Sequence, residues 1–234
     1  MKNLIIASTS TLHGSGYLDY LLPELSSLFS ETEEILFIPY ARPGGISKDA
    51  YTEIAQKAFS KINKKVVGLH TFVNPSEAIE NAKGIFTGGG NTFLLVKQLY
   101  EHKVLASLKE VLFYGTPYLG TSAGSNICGQ TMQTTNDMPI VYPPSFKTLG
   151  MVPFNINPHY LDPDPNSKHM GETRETRIKE FHTQNSLPVI GLREGSWLRV
   201  QGDNIELKGT LTARIFEKGK EPYEIPTDTQ IDYF

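Results

Sequence analysis

Residues 117–127 of the chain read PYLGTSAGSNI, and Ser122 stands in them framed as Gly-Thr-Ser-Ala-Gly. In the G-x-S-x-G pattern a strand turns sharply into a helix and lifts the serine out of the sheet, and small neighbours allow the backbone to make that turn. YLG before the serine reads as strand. SNICGQ after it can begin a helix, whose N-terminus favours developing negative charge. Ser122 is therefore a candidate nucleophile. The competing reading is a glycine-rich turn with an idle serine, and the pentapeptide alone does not separate the two.

A nucleophile of this kind needs donors for an oxyanion, a base and a group that orients the base. Residues 85–95, IFTGGGNTFLL, place three glycines between a strand and a helix, where backbone N–H groups approach a ligand closely. A phosphate-binding loop would continue as Gly-Lys-Ser/Thr, but Asn91-Thr92 follows, and the G-x-G-x-x-G spacing of a dinucleotide fold is absent. The N–H groups of Ala123, the residue after the serine, and of Gly90 are the candidate oxyanion donors, and Asn91 is a candidate substrate contact. Of six histidines, His13 sits in an early loop, His70 ends a strand, His102 lies at a helix end and His182 falls on a polar helix. His159, in FNINPHYLD, follows an apolar run at a strand-to-loop junction and is the candidate base. A metal site of His159, Asp162, Asp164 and His169 is disfavoured, because the Pro-interrupted spacing presents no regular face of ligands. Asp137 in TTNDMPIV and Glu194 in VIGLREGSW are the candidate acids; Glu194 ends an apolar strand, which places it near the sheet edge of Ser122. Arg174 and Arg177 open a helix in GETRETRIKE. Most such charges form a solvated face, whereas an arginine at the site would grip a substrate carboxylate.

These residues need a scaffold. Short β-branched runs at 3–7, 34–39, 65–69, 85–87 and 117–120 alternate with helical stretches, of which 49–62, 92–100 and 104–113 are the clearest. Such alternation predicts an α/β fold with a mostly parallel sheet flanked by helices. Late in the chain SWLRVQGDNIELKG and TARIFEKGKEPYEI read as hairpins, predicting an antiparallel C-terminal extension. The 234 residues show no linker or repeat and are expected to form a single catalytic domain, 1–234. A net charge of −3 gives no basic footprint for nucleic acid, and no apolar run approaches the roughly 18 residues of a membrane span. MKNLIIASTS is too briefly apolar for a signal peptide. The single cysteine, Cys128, excludes an intrachain disulfide and fits a reducing, cytoplasmic setting.

Taken together, TGGGNTF, GTSAGS, TTNDMPIV, INPHY, GETRETRI and GLREGSW resemble the peptidase E family of serine peptidases, which also contains cyanophycinase. They occur in that family's order and span nearly the whole chain. The resemblance implies a fold related to the class I glutamine amidotransferases, with serine in place of the nucleophilic cysteine. It also implies hydrolysis of dipeptides whose N-terminal residue is aspartate, with no metal or cofactor. By motif, Ser122 matches the nucleophile, His159 the base and Asp137 the acid named in the relay, while Glu194 matches the carboxylate that competes for that role. Arg174 matches the residue that binds the substrate's aspartate side chain, and Ser125 is expected to be dispensable. Thr121 departs from the family, in which many members carry Trp before the serine, and could alter the pocket wall. Analogy also implies a homodimer, which no sequence feature supports. Two other readings stay open: an α/β-hydrolase esterase, against which the missing HGGG motif counts, and a non-catalytic module holding an anionic metabolite.

Overall fold

The computed structural model describes residues 1–164, 166, 168 and 170–232. Five apolar runs form β1 (Asn3–Ala7), β2 (Glu34–Ile38), β3 (Lys65–Gly68), β4 (Ile85–Thr87) and β5 (Tyr118–Thr121). They pair in parallel in the order β1-β5-β4-β2-β3. Strands buried on both faces need apolar residues at every position, and β1 shows this. Leu4 and Ile6 enter one apolar cluster, while Ile5 and Ala7 enter the cluster on the other face. Helices α1 (Leu22–Leu28) and α2 (Lys48–Ser60) cover the Ile5 face through Leu25, Leu28, Ala55 and Phe59. Helices α3 (Pro75–Asn81), α4 (Thr92–Glu101) and α5 (Leu105–Tyr114) cover the Leu4 face, with Ile79, Leu95, Leu99, Leu108 and Leu112 turned inward. After β5 comes the four-residue α6 (Ala123–Asn126).

From there the chain leaves the alternating pattern. β6 (Asn155–Pro158) and β7 (Val189–Leu192), joined through α7 (Arg174–Gln184), pair in parallel and begin a second sheet. β8 (Ser196–Gln201) returns to the first sheet, antiparallel to β1, and turns through Gly202 and Asp203 into β9 (Asn204–Gly209). β10 (Ala213–Phe216) goes back to the second sheet beside β7, with β11 (Tyr223–Ile225) outside it, and β12 (Thr229–Gln230) edges the first. The result is an eight-stranded sheet, β12-β9-β8-β1-β5-β4-β2-β3, beside a four-stranded one, β11-β10-β7-β6. The parallel sheet, its flanking helices and the antiparallel extension agree with the sequence reading. The second sheet corrects it, because Glu194 follows a strand that does not belong to the sheet of Ser122. The strand before His159, β6, reads NINP, and the partner it takes lies 34 residues away. One apolar cluster, containing Leu4, Ile6, Ile190, Leu192 and Ile215, binds the two sheets together. Among the described residues no helix is long and apolar enough to cross a membrane.

Candidate active site

The elbow forms where β5 meets α6. Ser122 has φ 54° and ψ −110°, outside the ordinary regions for a residue with a side chain, and such strain persists only where the surroundings hold it. They do so from both sides. The Ser122 N–H donates to the Ala7 carbonyl at 3.2 Å. The backbones around it approach so closely that a side chain at Gly120 would run into the Gly124 carbonyl, and one at Gly124 into the Thr87 carbonyl. Ser125 is fully buried, and its hydroxyl lies 2.5 Å from the Ala7 carbonyl and 2.8 Å from that of Gly120. It is a brace of the elbow.

His159 follows β6 and also has a positive φ, 53°. Its Nε2 lies 2.9 Å from Ser122 Oγ and its Nδ1 lies 2.6 Å from Glu194 Oε1. An ionised carboxylate can only accept, so Nδ1 carries the proton toward Glu194 and Nε2 is left to accept from the serine hydroxyl. The histidine and glutamate side chains are 35% and 47% exposed. The segment 131–136 props β6 from behind. Thr134 Oγ1 donates to the Ile156 carbonyl at 2.9 Å, Asn157 Nδ2 to the Thr134 carbonyl at 2.8 Å, and Asn136 Nδ2 to the Pro158 carbonyl at 2.6 Å. Arg193 ties the loop after His159 to the turn that carries Glu194. It donates to both carboxylate oxygens of Asp162, at 2.9 and 2.8 Å, and to both of Glu224, at 2.8 and 3.0 Å.

Asp137 makes its hydrogen bonds elsewhere than at the imidazole. Its Oδ2 accepts from the Thr92 N–H at 2.7 Å, the Thr92 hydroxyl at 2.6 Å and the Thr135 hydroxyl at 2.9 Å. Three donors fix it at the N-terminus of α4, where a carboxylate is favoured, and the imidazole's Nδ1 is taken by Glu194. Residues 131–137 thus form a strut from the strand of His159 to the helix behind the glycine run. Asn91 is likewise engaged: its Oδ1 caps α4 by accepting from the Leu94 N–H at 3.0 Å, and its Nδ2 donates to the Met138 carbonyl at 2.8 Å. As a substrate contact it would have to use the one amide hydrogen left over.

The glycine run does pass Ser122. A side chain at Gly89 would sit 2.9 Å from Ser122 Cβ and 3.4 Å from its Oγ. Among the described residues, no backbone hydrogen bond uses the N–H of Gly89, Gly90 or Ala123. The Gly89 carbonyl accepts from the Tyr51 hydroxyl at 3.1 Å, so in the trans peptide that follows, the Gly90 N–H points away from Tyr51. Arg174 begins α7, and among the described residues its side chain makes no hydrogen bond or ion pair. Burial and the like charge of Arg177 pull its guanidinium down from its usual range, while the carboxylate of Asp137 pulls the other way. It lines a cleft of about 420 Å³ with Leu161, Asp162, Asp164 and Arg177.

The other sequence candidates fall elsewhere. Asp162 is held by Arg193, Asp164 accepts the Asn166 N–H at 2.8 Å, and His169 lies outside the described residues. His70 pairs with Asp49, His182 bonds the Leu187 carbonyl and His102 stacks on Tyr40. Thr121 is fully buried in β5, so its side chain faces the core. A cleft of about 830 Å³ between Glu34, Phe72 and Glu77 opens at the N-terminal ends of β2 and β4 and holds none of the candidates. Sequence reasoning missed Gly89, whose place in the run is indistinguishable from that of Gly90 without the fold. It also missed Asn136 and Ser8, which have no local signature.

Comparison with known proteins gives the family and the fold. The sequence profile of peptidase family S51 matches residues 4–208. A protein of Streptomyces coelicolor named "Peptidase E" is 45% identical over 229 residues, covering 98% of this chain and 93% of that protein. A Drosophila melanogaster protein named "Probable alpha-aspartyl dipeptidase" is 47% identical over 219 residues, covering 92% and 90%. The crystal structure of a peptidase from an acI-B1 Actinobacterium superposes with a TM-score of 0.74 over 100% of this chain and 97% of that one, at 17% identity, and so attests the fold.

Proposed function

This chain belongs to peptidase family S51, and from that premise we propose that it cleaves dipeptides with an N-terminal aspartate through an acyl-enzyme on Ser122. It is a serine-type dipeptidase. The observation that carries the residue-level reading is the unbroken series of hydrogen bonds from Ser122 Oγ to His159 Nε2, 2.9 Å, and from His159 Nδ1 to Glu194 Oε1, 2.6 Å. His159 takes the Ser122 proton as the hydroxyl attacks the scissile carbonyl, then delivers it to the leaving amine. Water repeats the sequence on the acyl-enzyme. Glu194 holds the imidazole in the tautomer that can accept and stabilises the imidazolium. In this reading the Ala123 N–H and a donor of the glycine run, Gly90, bind the oxyanion, each such donor being worth about 3 kcal/mol. Arg174 takes the substrate's β-carboxylate; the absence of a protein partner for its guanidinium among the described residues supports that role. Asp137 acts at one remove, by fixing the N-terminus of α4 and hence the glycine run.

The whole of 1–234 is read as one catalytic domain, because residues from both sheets share one apolar cluster. The reading includes a cytoplasmic setting. Cys128 is buried, and burial pushes its thiol up to about 12, so it is a structural residue with no disulfide partner in the chain. A panel of Asp-Leu, Glu-Leu, Ala-Leu and a simple ester, assayed with wild type and Ser122→Ala, tests the function. Asp-Leu should be the preferred substrate, and Ser122→Ala should lose roughly 10⁴–10⁶ in kcat with its fold intact. Near-wild-type activity of the variant would refute the nucleophile, and preference for the ester would revive the esterase reading.

A further inference from the structure

All three members of the Ser122–His159–Glu194 series are tied to one point, the C-terminal end of β1. The Ala7 carbonyl accepts from the Ser122 N–H at 3.2 Å and lies 2.5 Å from the Ser125 hydroxyl. Ser8, the next residue, is fully buried. Its hydroxyl donates to the Leu192 carbonyl at 2.7 Å and accepts from the His159 N–H at 2.9 Å. Its own N–H donates to the Ser196 carbonyl at 3.1 Å. Leu192 stands two residues before Glu194, and Ser196 two residues after it. One buried side chain therefore holds the backbone of the base directly and that of the acid from the residue flanking its turn.

We propose that Ser8 is a positioning residue of the catalytic series, holding His159 and the Glu194 turn in register with Ser122. This rests on the function proposed above. The physical need is specific. His159 sits at φ 53°, a conformation that a residue with a side chain leaves unless its neighbours fix it. The bond from its N–H to Ser8 Oγ is such a fixture. The site requires a group that donates and accepts at once, facing a carbonyl on one strand end and an N–H on another, which a small hydroxyl does and an alkyl group cannot. Without it a buried N–H loses its acceptor, the backbone of His159 is freed to turn, and Nε2 moves off the serine oxygen. The fold does not hang on the same bond. The Leu192 carbonyl also accepts from the Tyr160 N–H at 3.1 Å, and the β6–β7 pairing is independent of Ser8.

The test uses the full chain as wild type, Ser8→Ala and Ser8→Cys, the last keeping the volume with a poor donor and acceptor. Each is assayed for kcat and KM on Asp-Leu and for the rate at which a fluorophosphonate labels Ser122, well below a melting temperature measured for each protein. Misplacement of reacting groups by about 1 Å costs on the order of 10²-fold. We expect kcat and the labelling rate to fall together by roughly 10- to 100-fold, with KM within about two-fold of wild type. A purely structural serine would lower the melting temperature and leave kcat and labelling alone. Either variant retaining both rates within about three-fold, or raising KM at unchanged kcat, overturns the proposal. The labelling arm also separates the two readings: a wild type that labels but does not cleave Asp-Leu refutes the substrate assignment, while Ser8 is still judged by the labelling ratio.

Discussion

Replacing Glu194 by glutamine keeps the shape of the acid and removes its charge, which makes it the sharpest probe of the relay. The carboxylate oxygen lies 2.6 Å from His159 Nδ1 and accepts its N–H. As Ser122 attacks, the imidazole becomes a cation, so the ion pair belongs to the transition state alone and its loss falls on kcat. Two unit charges about 4 Å apart attract by about 1 kcal/mol in bulk water and by about 4 kcal/mol at an effective dielectric of 20. The two side chains are 35% and 47% exposed. That places the pair between the limits, at about 2–3 kcal/mol, or roughly 30- to 150-fold in rate at 1.36 kcal/mol per decade. Glutamine can also turn its amide to donate to Nδ1, which leaves the proton on Nε2, facing the serine. The wrong tautomer adds to the loss. Glu194→Gln should therefore lose at least about 30-fold in kcat on Asp-Leu, with a circular dichroism spectrum like that of wild type. Asp137→Asn retains an acceptor oxygen for Thr92 and Thr135 and should lose less than about 10-fold. If Glu194→Gln stays within about three-fold of wild type while Asp137→Asn, correctly folded, loses more than about 100-fold, the relay drawn through Glu194 is wrong.

Three further outcomes follow from other parts of the molecule. Arg174→Ala should lose roughly 10- to 150-fold more on Asp-Leu than on an ester lacking the β-carboxylate, the worth of about 1.5–3 kcal/mol of charge-assisted bonding, and equal losses would make the arginine structural. Ser125→Ala strips a buried hydroxyl from the Ala7 and Gly120 carbonyls and should cost about 1–3 kcal/mol, read by calorimetry as a melting temperature lower by about 2–10 °C. An unchanged melting temperature would show that the elbow needs no such brace. Burial raises the pKa of Glu224, but hydrogen bonds from Arg193, Thr212 and Arg214 outweigh it and hold the carboxyl down at about 2. A carboxyl depressed in the folded state stabilises it fully above the unfolded pKa, and that contribution is lost as pH falls through the folded one. The melting temperature of wild type should thus drop between pH 4.5 and about 2 more steeply than that of Glu224→Gln; parallel curves would remove this ion network from acid stability.

Much of the scaffold was legible because it rests on local pattern. β1 and β4 lie where their apolar runs put them, and the elbow forms because Gly120 and Gly124 leave room for its backbone contacts. Both late hairpins turn at their glycine-containing segments. What stayed hidden was pairing at a distance. Residues 155–158 contain two asparagines and a proline, and they become a strand only because side chains of residues 131–136 and the backbone of β7 supply their bonds. The role of Asp137 turned on the same kind of contact. An aspartate shortly after the elbow helix could serve the imidazole or a helix end, and its hydrogen bonds to Thr92, 45 residues away, have no local signature. Ser8 could not be singled out at all, since its partners lie 151 and 184 residues away.

The division of the site between two sheets also orders its assembly in time. Ser122, the glycine run and the strands that flank the elbow, β1 and β4, all lie within the first 124 residues. His159 and Glu194 come from strand ends beyond residue 155, and the second sheet that holds them is complete only once β10 and β11 have been made. Ser122 and the glycine run therefore precede in the chain every residue that meets them from the second sheet. The Ser122–His159–Glu194 series can close only once residues of both sheets have been made.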